Sequence, residues 1–150
     1  LLFLSDLNTA EEVLQTDYYN QNQVALIKAV ASYITEDLTT HYTIEQLSQK
    51  FKISTTALKK CFRGVYGTSV YSYLRTYRLQ VAQKLLLETE LPVTEIASKI
   101  GYENPNKFTS AFKEMYGSSP TEFRKSVRLD RNVRMEWRRN LSCIRISFVR

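Results

Sequence analysis

The chain has 150 residues, is 43% hydrophobic and carries a net charge of +6, so it can form about one domain with a modest core. It contains no run of 18 apolar residues, and the sequence therefore predicts no transmembrane helix. Two cysteines and one histidine argue against a disulfide framework and against a zinc site.

The charge is unevenly distributed along the chain. Residues 1–42 carry one Lys and six acidic residues, which gives a net charge of −5. Residues 43–126 carry thirteen basic and seven acidic residues (net +6), and residues 127–150 carry seven Arg and two acidic residues (net +5). A basic block beside an acidic segment is typical of a module that binds a polyanion. An ordinary solvated basic surface remains the alternative from charge alone.

The N-terminal part of the sequence predicts one helix after a segment without clear periodicity. We interpret residues 1–21 as a linker or as the end of a missing upstream domain. Because the first residue is not Met, we expect a fragment of a longer protein. A helix from Gln23 to Leu38 is predicted from apolar residues at helical spacing. These residues are Leu26, Ile27, Val30, Ile34 and Leu38.

Two short helices separated by a tight turn are predicted next. Thr43 begins a capping box with Gln46, and the helix that follows carries apolar residues at positions 44, 47 and 51. After a turn, Ser54 is a preferred N-cap for a second helix that reaches about Tyr66. Gly67 supplies a left-handed residue that ends this helix.

A long helix and a second pair of short helices complete the predicted elements. The longest helix covers about residues 69–88, and Pro92 suits the first turn of the helix after it. Asn104, followed by proline, is a strong start signal for the next helix. A further capping box joins Ser119 to Glu122.

The two pairs of short helices repeat one pattern of apolar, turn and aromatic residues. The first copy has Ile44, Leu47, Phe51, Ile53, Leu58, Phe62, Tyr66, Gly67, Ser69, Val70 and Tyr73. The second copy has Val93, Ile96, Ile100, Tyr102, Phe108, Phe112, Tyr116, Gly117, Ser119, Pro120 and Phe123. From Leu58 and Phe108 onward the offset is 50 residues. Such a repeat indicates two copies of a helix-turn-helix device, so we predict an all-α fold of about seven helices, with two such subdomains joined by a long linker helix.

The second helix of each copy is predicted to have an apolar inner face and a polar outer face. Positions 58, 62 and 65 are predicted to point inward in the first copy, and positions 108, 112 and 115 in the second. The outward residues are Thr55, Thr56, Lys59, Lys60 and Arg63, and then Asn106, Lys107, Thr109, Ser110 and Lys113. These side-chain types contact base edges and phosphates, so we interpret both helices as recognition helices for the major groove. The alternative, an ordinary amphipathic surface helix, is disfavoured because two related helices occur in register.

The predicted linker helix has a length that suits two DNA-reading units. At about 1.5 Å per residue, about nineteen residues span roughly 28 Å. Two recognition helices on one face of B-DNA lie about 34 Å apart, which is one turn. We therefore expect one chain to read two adjacent major-groove segments without dimerising.

One stretch of the second copy carries a family resemblance. It reads Ile96-Ala97-x-x-Ile100-Gly101-Tyr102, then Asn106-Lys107-Phe108-x-x-x-Phe112-Lys113, then Tyr116-Gly117-x-Ser119-Pro120-x-x-Phe123-Arg124. On these motifs, the region from about Thr43 to Ser126 resembles the AraC/XylS family of bacterial transcription regulators. The resemblance implies two helix-turn-helix subdomains that bind consecutive major grooves. It also implies an N-terminal sensing domain that is absent here.

Site residues follow from the resemblance by position. In the first recognition helix, the expected base contacts are Thr56, Lys59 and Lys60, with Arg63 near phosphate. In the second, they are Asn106, Lys107, Thr109 and Ser110, with Asn104 and Lys113 nearby. The helix N-termini at Thr43, Ser54 and Ser119 are expected to offer backbone N–H groups to phosphate. Family members often carry Arg or Gln in the second helix. Since Thr109 and Ser110 are short, the second unit is expected to position the protein more than it reads sequence.

The expected partner is double-stranded promoter DNA, with RNA polymerase contacted for activation and a small-molecule effector acting only through the missing domain. We expect a cytoplasmic protein without cofactor, metal or membrane partner. An enzyme has no support, because the sequence lacks a Gly-rich phosphate loop, a GxSxG motif and a paired-carboxylate constellation. The alternative function is a helical protein–protein interaction module that does not read DNA specifically.

The sequence predicts three segments. Residues 1–21 are the linker or the end of the missing domain, and residues 127–150 are a basic extension of unknown role. The DNA-binding domain covers 22–126, divided into a first unit (22–68), a linker helix (69–89) and a second unit (90–126). In the extension, residues 127–139 could form a basic helix, and residues 141–149 partly alternate like a strand.

Overall fold

The computed structural model describes residues 20–129, and within this range helices are the only regular secondary structure. The seven helices are α1 (Gln21–Glu36), α2 (Ile44–Phe51), α3 (Thr55–Tyr66), α4 (Val70–Glu88), α5 (Val93–Lys99), α6 (Pro105–Tyr116) and α7 (Pro120–Leu129). The predicted all-α fold is confirmed for this part of the chain. Residues 127–129, where the sequence predicts the start of a basic helix, belong to α7. The rest of that predicted helix, the alternating stretch 141–149 and the segment before residue 20 lie outside the described residues.

Helix α1 begins two residues earlier than the sequence pattern predicts, and it ends before Leu38. Asn20 caps it, because the Asn22 N–H donates to Asn20 Oδ1 over 3.0 Å and the Asn20 N–H donates to Gln23 Oε1 over 3.3 Å. After the helix, the Thr39 N–H donates to the Asp37 carboxylate over 2.9 Å. A capping box and a side-chain turn therefore set the two ends, which apolar periodicity alone cannot locate.

Contacts divide the chain into two compact units, with the boundary between Arg78 and Leu79 inside α4. In the first unit α1 packs against α2 and α3, and α2 packs against α3. Its core contains the fully buried side chains Ile27, Val30, Ile34, Leu58 and Phe62. These residues lie on the faces that helical spacing predicts to be apolar.

In the second unit α5 packs against α6, and α6 packs against α7. Its fully buried large side chains include Ile96, Ile100, Phe108 and Phe112. Met115, which the repeat predicts to point inward, is 40% exposed, so that prediction is wrong. The rings of Phe112, Tyr116 and Phe123 pack against one another in this unit.

Each unit contains a triad of aromatic rings at equivalent positions of the repeat. In the first unit, the rings of Phe62, Tyr66 and Tyr73 pack with centroids 4.7–5.4 Å apart. In the second unit, the corresponding centroids of Phe112, Tyr116 and Phe123 are 4.5–6.0 Å apart. These edge-on and tilted contacts are favourable beyond simple burial. The triads place these aromatic residues in or against the cores of the two units.

The length and composition of the described helices show whether any of them could cross a membrane. Within residues 20–129, no helix combines the length and the apolar character that a bilayer crossing requires. This agrees with the sequence, which contains no sufficiently long apolar run.

Candidate nucleic-acid interface

Helix α3 is held between two well-defined ends that determine which face it exposes. At its start, the Ala57 N–H donates to Ser54 Oγ over 3.2 Å. At its end, Gly67 has a φ of 69° and donates its N–H to the Arg63 carbonyl over 2.8 Å. The turn before α3 contains Lys52 at a φ of 51°, an unusual conformation for a residue other than glycine.

The outer face of α3 carries the predicted contact residues of the first unit. Thr56, Lys59, Lys60 and Arg63 are all exposed. The opposite face is buried through Leu58, Cys61 and Phe62. At 3.6 residues per turn, positions 56, 60 and 63 fall along one line, and 59 lies beside it. The structure therefore brings the four residues together in one stripe, which we call the α3 stripe.

Helix α6 presents a second stripe in the other unit. Asn104 caps the helix, because the Asn106 N–H donates to Asn104 Oδ1 over 2.9 Å, and Pro105 occupies the first helical position. Phe108, Ala111 and Phe112 are buried. The α6 stripe consists of Asn106, Thr109, Ser110 and Lys113. All but the half-buried Thr109 are exposed, as are the neighbouring predicted residues Asn104 and Lys107.

The two stripes correspond residue by residue at an offset of 50. The equivalent pairs are Thr56 and Asn106, Lys59 and Thr109, Lys60 and Ser110, and Arg63 and Lys113. The α3 stripe has three cationic side chains, whereas the α6 stripe has one. Neither stripe contains an acidic residue. Both can therefore accept a polyanion, and the α3 stripe offers the greater charge.

The three helix N-termini predicted to meet phosphate differ in their own charge. The Ser54 end of α3 has no acidic residue in the first turn, whereas the Thr43 end of α2 has Glu45. At α7, the Ser119 N–H and hydroxyl both donate to the Glu122 carboxylate, over 2.8 and 2.6 Å. These hydrogen bonds lower the pKa of Glu122 and keep a negative charge at that helix end. An additional anion is therefore least favourable at Ser119.

A buried arginine supports the first unit, and no motif in the sequence assigns it a specific role. The Arg78 guanidinium is buried on α4 and donates to the Thr40 carbonyl over 3.3 Å. Thr40 lies in the loop before Thr43, the N-cap of α2, so this contact helps to fix where α2 begins. An arginine among apolar residues of a core-facing helix is the sequence signal that could have identified it.

The described residues offer neither a group of metal ligands nor an exposed thiol. Residues 20–129 contain no group of three His, Cys, Asp or Glu side chains that could hold a metal ion. Cys61 is free and buried, 4% exposed, and it packs as a small hydrophobic side chain in the core of the first unit.

Sequence comparisons identify relatives of the region that contains both stripes. A family model described as a helix-turn-helix domain matches residues 47–126. The transcriptional activator RhaR of Enterobacter sp. (strain 638) is 33% identical over 102 residues, which are 68% of this chain and 36% of that protein. The RCS-specific activator RclR of Escherichia coli (strain K12) is 34% identical over 87 residues, which are 58% and 31% of the two chains. The chain thus spans about a third of the length of these curated relatives.

Solved structures share the fold. The C-terminal domain of AraT, a response regulator from Geobacillus stearothermophilus, matches with a TM-score of 0.63 at 30% identity, covering 67% of this chain and 84% of that one. The DNA-binding domain of AdpA, crystallised with a target DNA, matches with a TM-score of 0.65 at 27% identity, covering 69% and 93%.

Proposed function

Because this chain belongs to the AraC/XylS family of transcription regulators, which are not enzymes, we propose that it is the DNA-binding part of such a regulator. Residues 22–126 would bind double-stranded promoter DNA and read two adjacent major-groove segments. The first unit would cover residues 22–68 and the second residues 90–126, joined by the helix at 69–89.

The main support for the proposal is that a polar stripe without acidic residues occurs twice, at an offset of 50 residues, on two capped helices. A core requires only the buried faces of α3 and α6, so packing does not explain the absence of acidic residues from both stripes. Basic, amide and hydroxyl groups are the types that bind bases and phosphates. The complex of the AdpA domain with its target DNA supports the same interpretation for this fold.

The residues have separate roles in this proposal. Base contacts come from Thr56, Lys59 and Lys60 on α3 and from Asn106, Lys107, Thr109 and Ser110 on α6, with Asn104 beside them. Arg63 and Lys113, at the ends of the stripes, contact phosphate. The N-terminus of α3 at Ser54 is the best-placed phosphate donor, followed by Thr43 and then by Ser119, where the carboxylate of Glu122 competes.

The remaining parts of the proposal concern the whole regulator. A bacterial regulator of this type acts in the cytoplasm, where promoter DNA is present. It would activate transcription through contact with RNA polymerase. A small-molecule effector would act through an N-terminal domain, because the described part resembles the DNA-binding portion of its longer relatives.

Salt dependence of binding tests the proposal. Duplexes are first selected from a random library with the full chain, and their affinity is then measured by fluorescence anisotropy over a range of salt concentrations. We expect the logarithm of the association constant to fall linearly with the logarithm of the salt concentration. The slope should be about −0.9 for each phosphate that the protein neutralises. Lys113→Ala should weaken binding to all duplexes about equally and reduce the slope by about one.

Lys28→Ala is the matched control, because Lys28 is exposed on α1 and belongs to neither stripe. It should leave both the affinity and the slope unchanged. Weak binding that does not respond to salt would refute the proposal and favour a helical protein–protein interaction module.

A further inference from the structure

We propose that the two recognition helices read different bases: the α3 stripe reads two guanines through Lys59 and Lys60, and the α6 stripe reads one adenine through Asn106. This inference rests on the proposed function and makes it more specific, because it predicts the base composition of each half of the DNA site.

The positions of the two lysines favour guanine. Lys59 and Lys60 are exposed; Lys60 lies in line with Thr56 and Arg63, and Lys59 lies beside that line. Neither lysine belongs to the buried face of α3, so both ammonium groups can extend into a groove that the helix faces. Guanine presents two acceptors, N7 and O6, in the major groove, and lysine is among the side chains that pair with them.

At the equivalent positions, the α6 stripe cannot make these contacts. Thr109 and Ser110 replace the two lysines, and their side chains are too short to reach as far into the groove. Lys107 is exposed but lies about 100° around the helix from Asn106, at the edge of the stripe. From the edge of the stripe Lys107 faces the bases less directly than Asn106 does, so the main base discrimination is expected from Asn106.

The position and the carboxamide of Asn106 favour adenine. Asn106 is the second residue of α6, exposed, and its backbone N–H is already bonded to the cap residue Asn104. The N-terminal residues of a recognition helix are those that contact base edges. The carboxamide NH2 group can donate to N7 of adenine, and the carboxamide oxygen can accept from the N6 amino group. Thr56, its counterpart on α3, can bond to any base and adds little discrimination.

The length of each stripe limits the number of bases that it reads. From Thr56 to Arg63 is seven residues, or about 10 Å along the helix axis. At about 3.4 Å per base pair, this covers about three base pairs. Because acidic side chains are those that accept from cytosine N4, and the stripes contain none, a cytosine on the contacted strand should not be selected.

The test compares selected sequences for the 150-residue chain and for single variants. Random duplexes are selected at about 150 mM salt and sequenced. We expect two blocks, one containing two guanine positions and the other an adenine position. Lys59→Ala and Lys60→Ala should each abolish preference at one guanine position, and Asn106→Ala should abolish it at the adenine position alone. Each loss should be about 5- to 150-fold in discrimination.

Two controls separate base reading from folding and from general affinity. Lys113→Ala should lower affinity without changing the selected sequence, and Lys28→Ala should change neither. Circular dichroism is used to check that each variant remains helical. A position-specific loss of preference cannot arise from a merely structural effect, because partial unfolding weakens binding to every sequence.

The outcomes distinguish this inference from the proposed function. Two selected blocks that lack the guanines or the adenine, or base preferences that survive the corresponding variant, would overturn the inference while DNA binding stands. A folded chain that enriches no sequence at all would overturn both.

Discussion

The hydroxyl groups of Tyr66 and Tyr116 occupy equivalent positions of the repeat but have different surroundings. In the first unit, Tyr66 hydrogen-bonds the hydroxyl of Tyr73, which partly offsets the rise that burial causes in the pKa of Tyr73. In the second unit Phe123 stands in place of Tyr73. The buried hydroxyl of Tyr116 has no hydrogen-bond partner among residues 20–129. Removing the two hydroxyls should therefore have opposite effects on stability.

The magnitudes follow from the hydrogen bond that each hydroxyl makes or lacks. Tyr66→Phe removes one hydrogen bond and leaves the half-buried Tyr73 hydroxyl without that partner, which costs about 1 kcal/mol. Tyr116→Phe removes a buried hydroxyl without a partner, whose burial costs about 1–3 kcal/mol, so we expect a gain of about 1 kcal/mol. Both substitutions keep the ring, and the aromatic packing of each triad is preserved.

Urea unfolding followed by circular dichroism measures both effects. With a slope of about 2 kcal/mol per molar urea, the midpoints of the two variants should differ by about 1 M, with the wild type between them. Because the two positions lie in separate compact units, the double variant should lie close to the wild type. A midpoint for Tyr116→Phe at or below that of the wild type would refute the reasoning.

Alkaline pH offers an independent measurement of the same hydroxyl. Burial raises the pKa of Tyr116 from 10 to about 12, so the folded state favours the neutral form. Its contribution is complete below pH 10 and is lost as the pH rises toward 12. The wild type should therefore lose stability relative to Tyr116→Phe over this range. Parallel pH curves for the two proteins would contradict the assignment.

Three further predictions concern the first unit. Lys52→Gly should stabilise the chain by about 0.5–1 kcal/mol in urea unfolding, because a left-handed residue with a Cβ is strained; a lower midpoint would contradict this. Hydrogen bonds from Thr39 and Thr40 lower the pKa of Asp37 to about 2, so its stabilising effect is present above about pH 4 and is lost as the pH falls toward 2. Asp37→Asn should therefore flatten the acid limb of the stability curve, and an unchanged limb would exclude this role. Ser54→Ala should cost about 1 kcal/mol by removing the α3 cap, and an unchanged urea midpoint would show that the cap does not stabilise the helix.

The local features of the fold were largely predictable from the sequence. Thr43, Ser54, Asn104 and Ser119 all make the capping hydrogen bonds that their positions predict. Such bonds depend on residues two or three positions apart, so they can be recognised without knowledge of the tertiary structure. The long helix α4 ends at Glu88, as the periodicity indicates.

Features that depend on distant contacts were not predictable in the same way. Arg78 is buried because its guanidinium bonds a carbonyl 38 residues away, and periodicity contains no information about such a partner. Met115 has the spacing of a core residue but is 40% exposed, because spacing along one helix does not show how far the neighbouring helices extend over it. For the interface, the sequence predicted which residues share each stripe; the structure added the Glu122 carboxylate hydrogen-bonded to Ser119.

The two copies differ in a way that packing alone does not explain. The three triad positions remain aromatic, as at Phe62 and Phe112, because a smaller side chain would leave a cavity in a close-packed interior. At the exposed stripe positions, by contrast, Lys60 in the first copy corresponds to Ser110 in the second, and either side chain is compatible with the helix. Because the fold does not require this difference, we attribute it to the DNA that each helix contacts. Two helices with one scaffold and different polar faces suit a DNA site whose two halves have different sequences, rather than a repeat of one half-site.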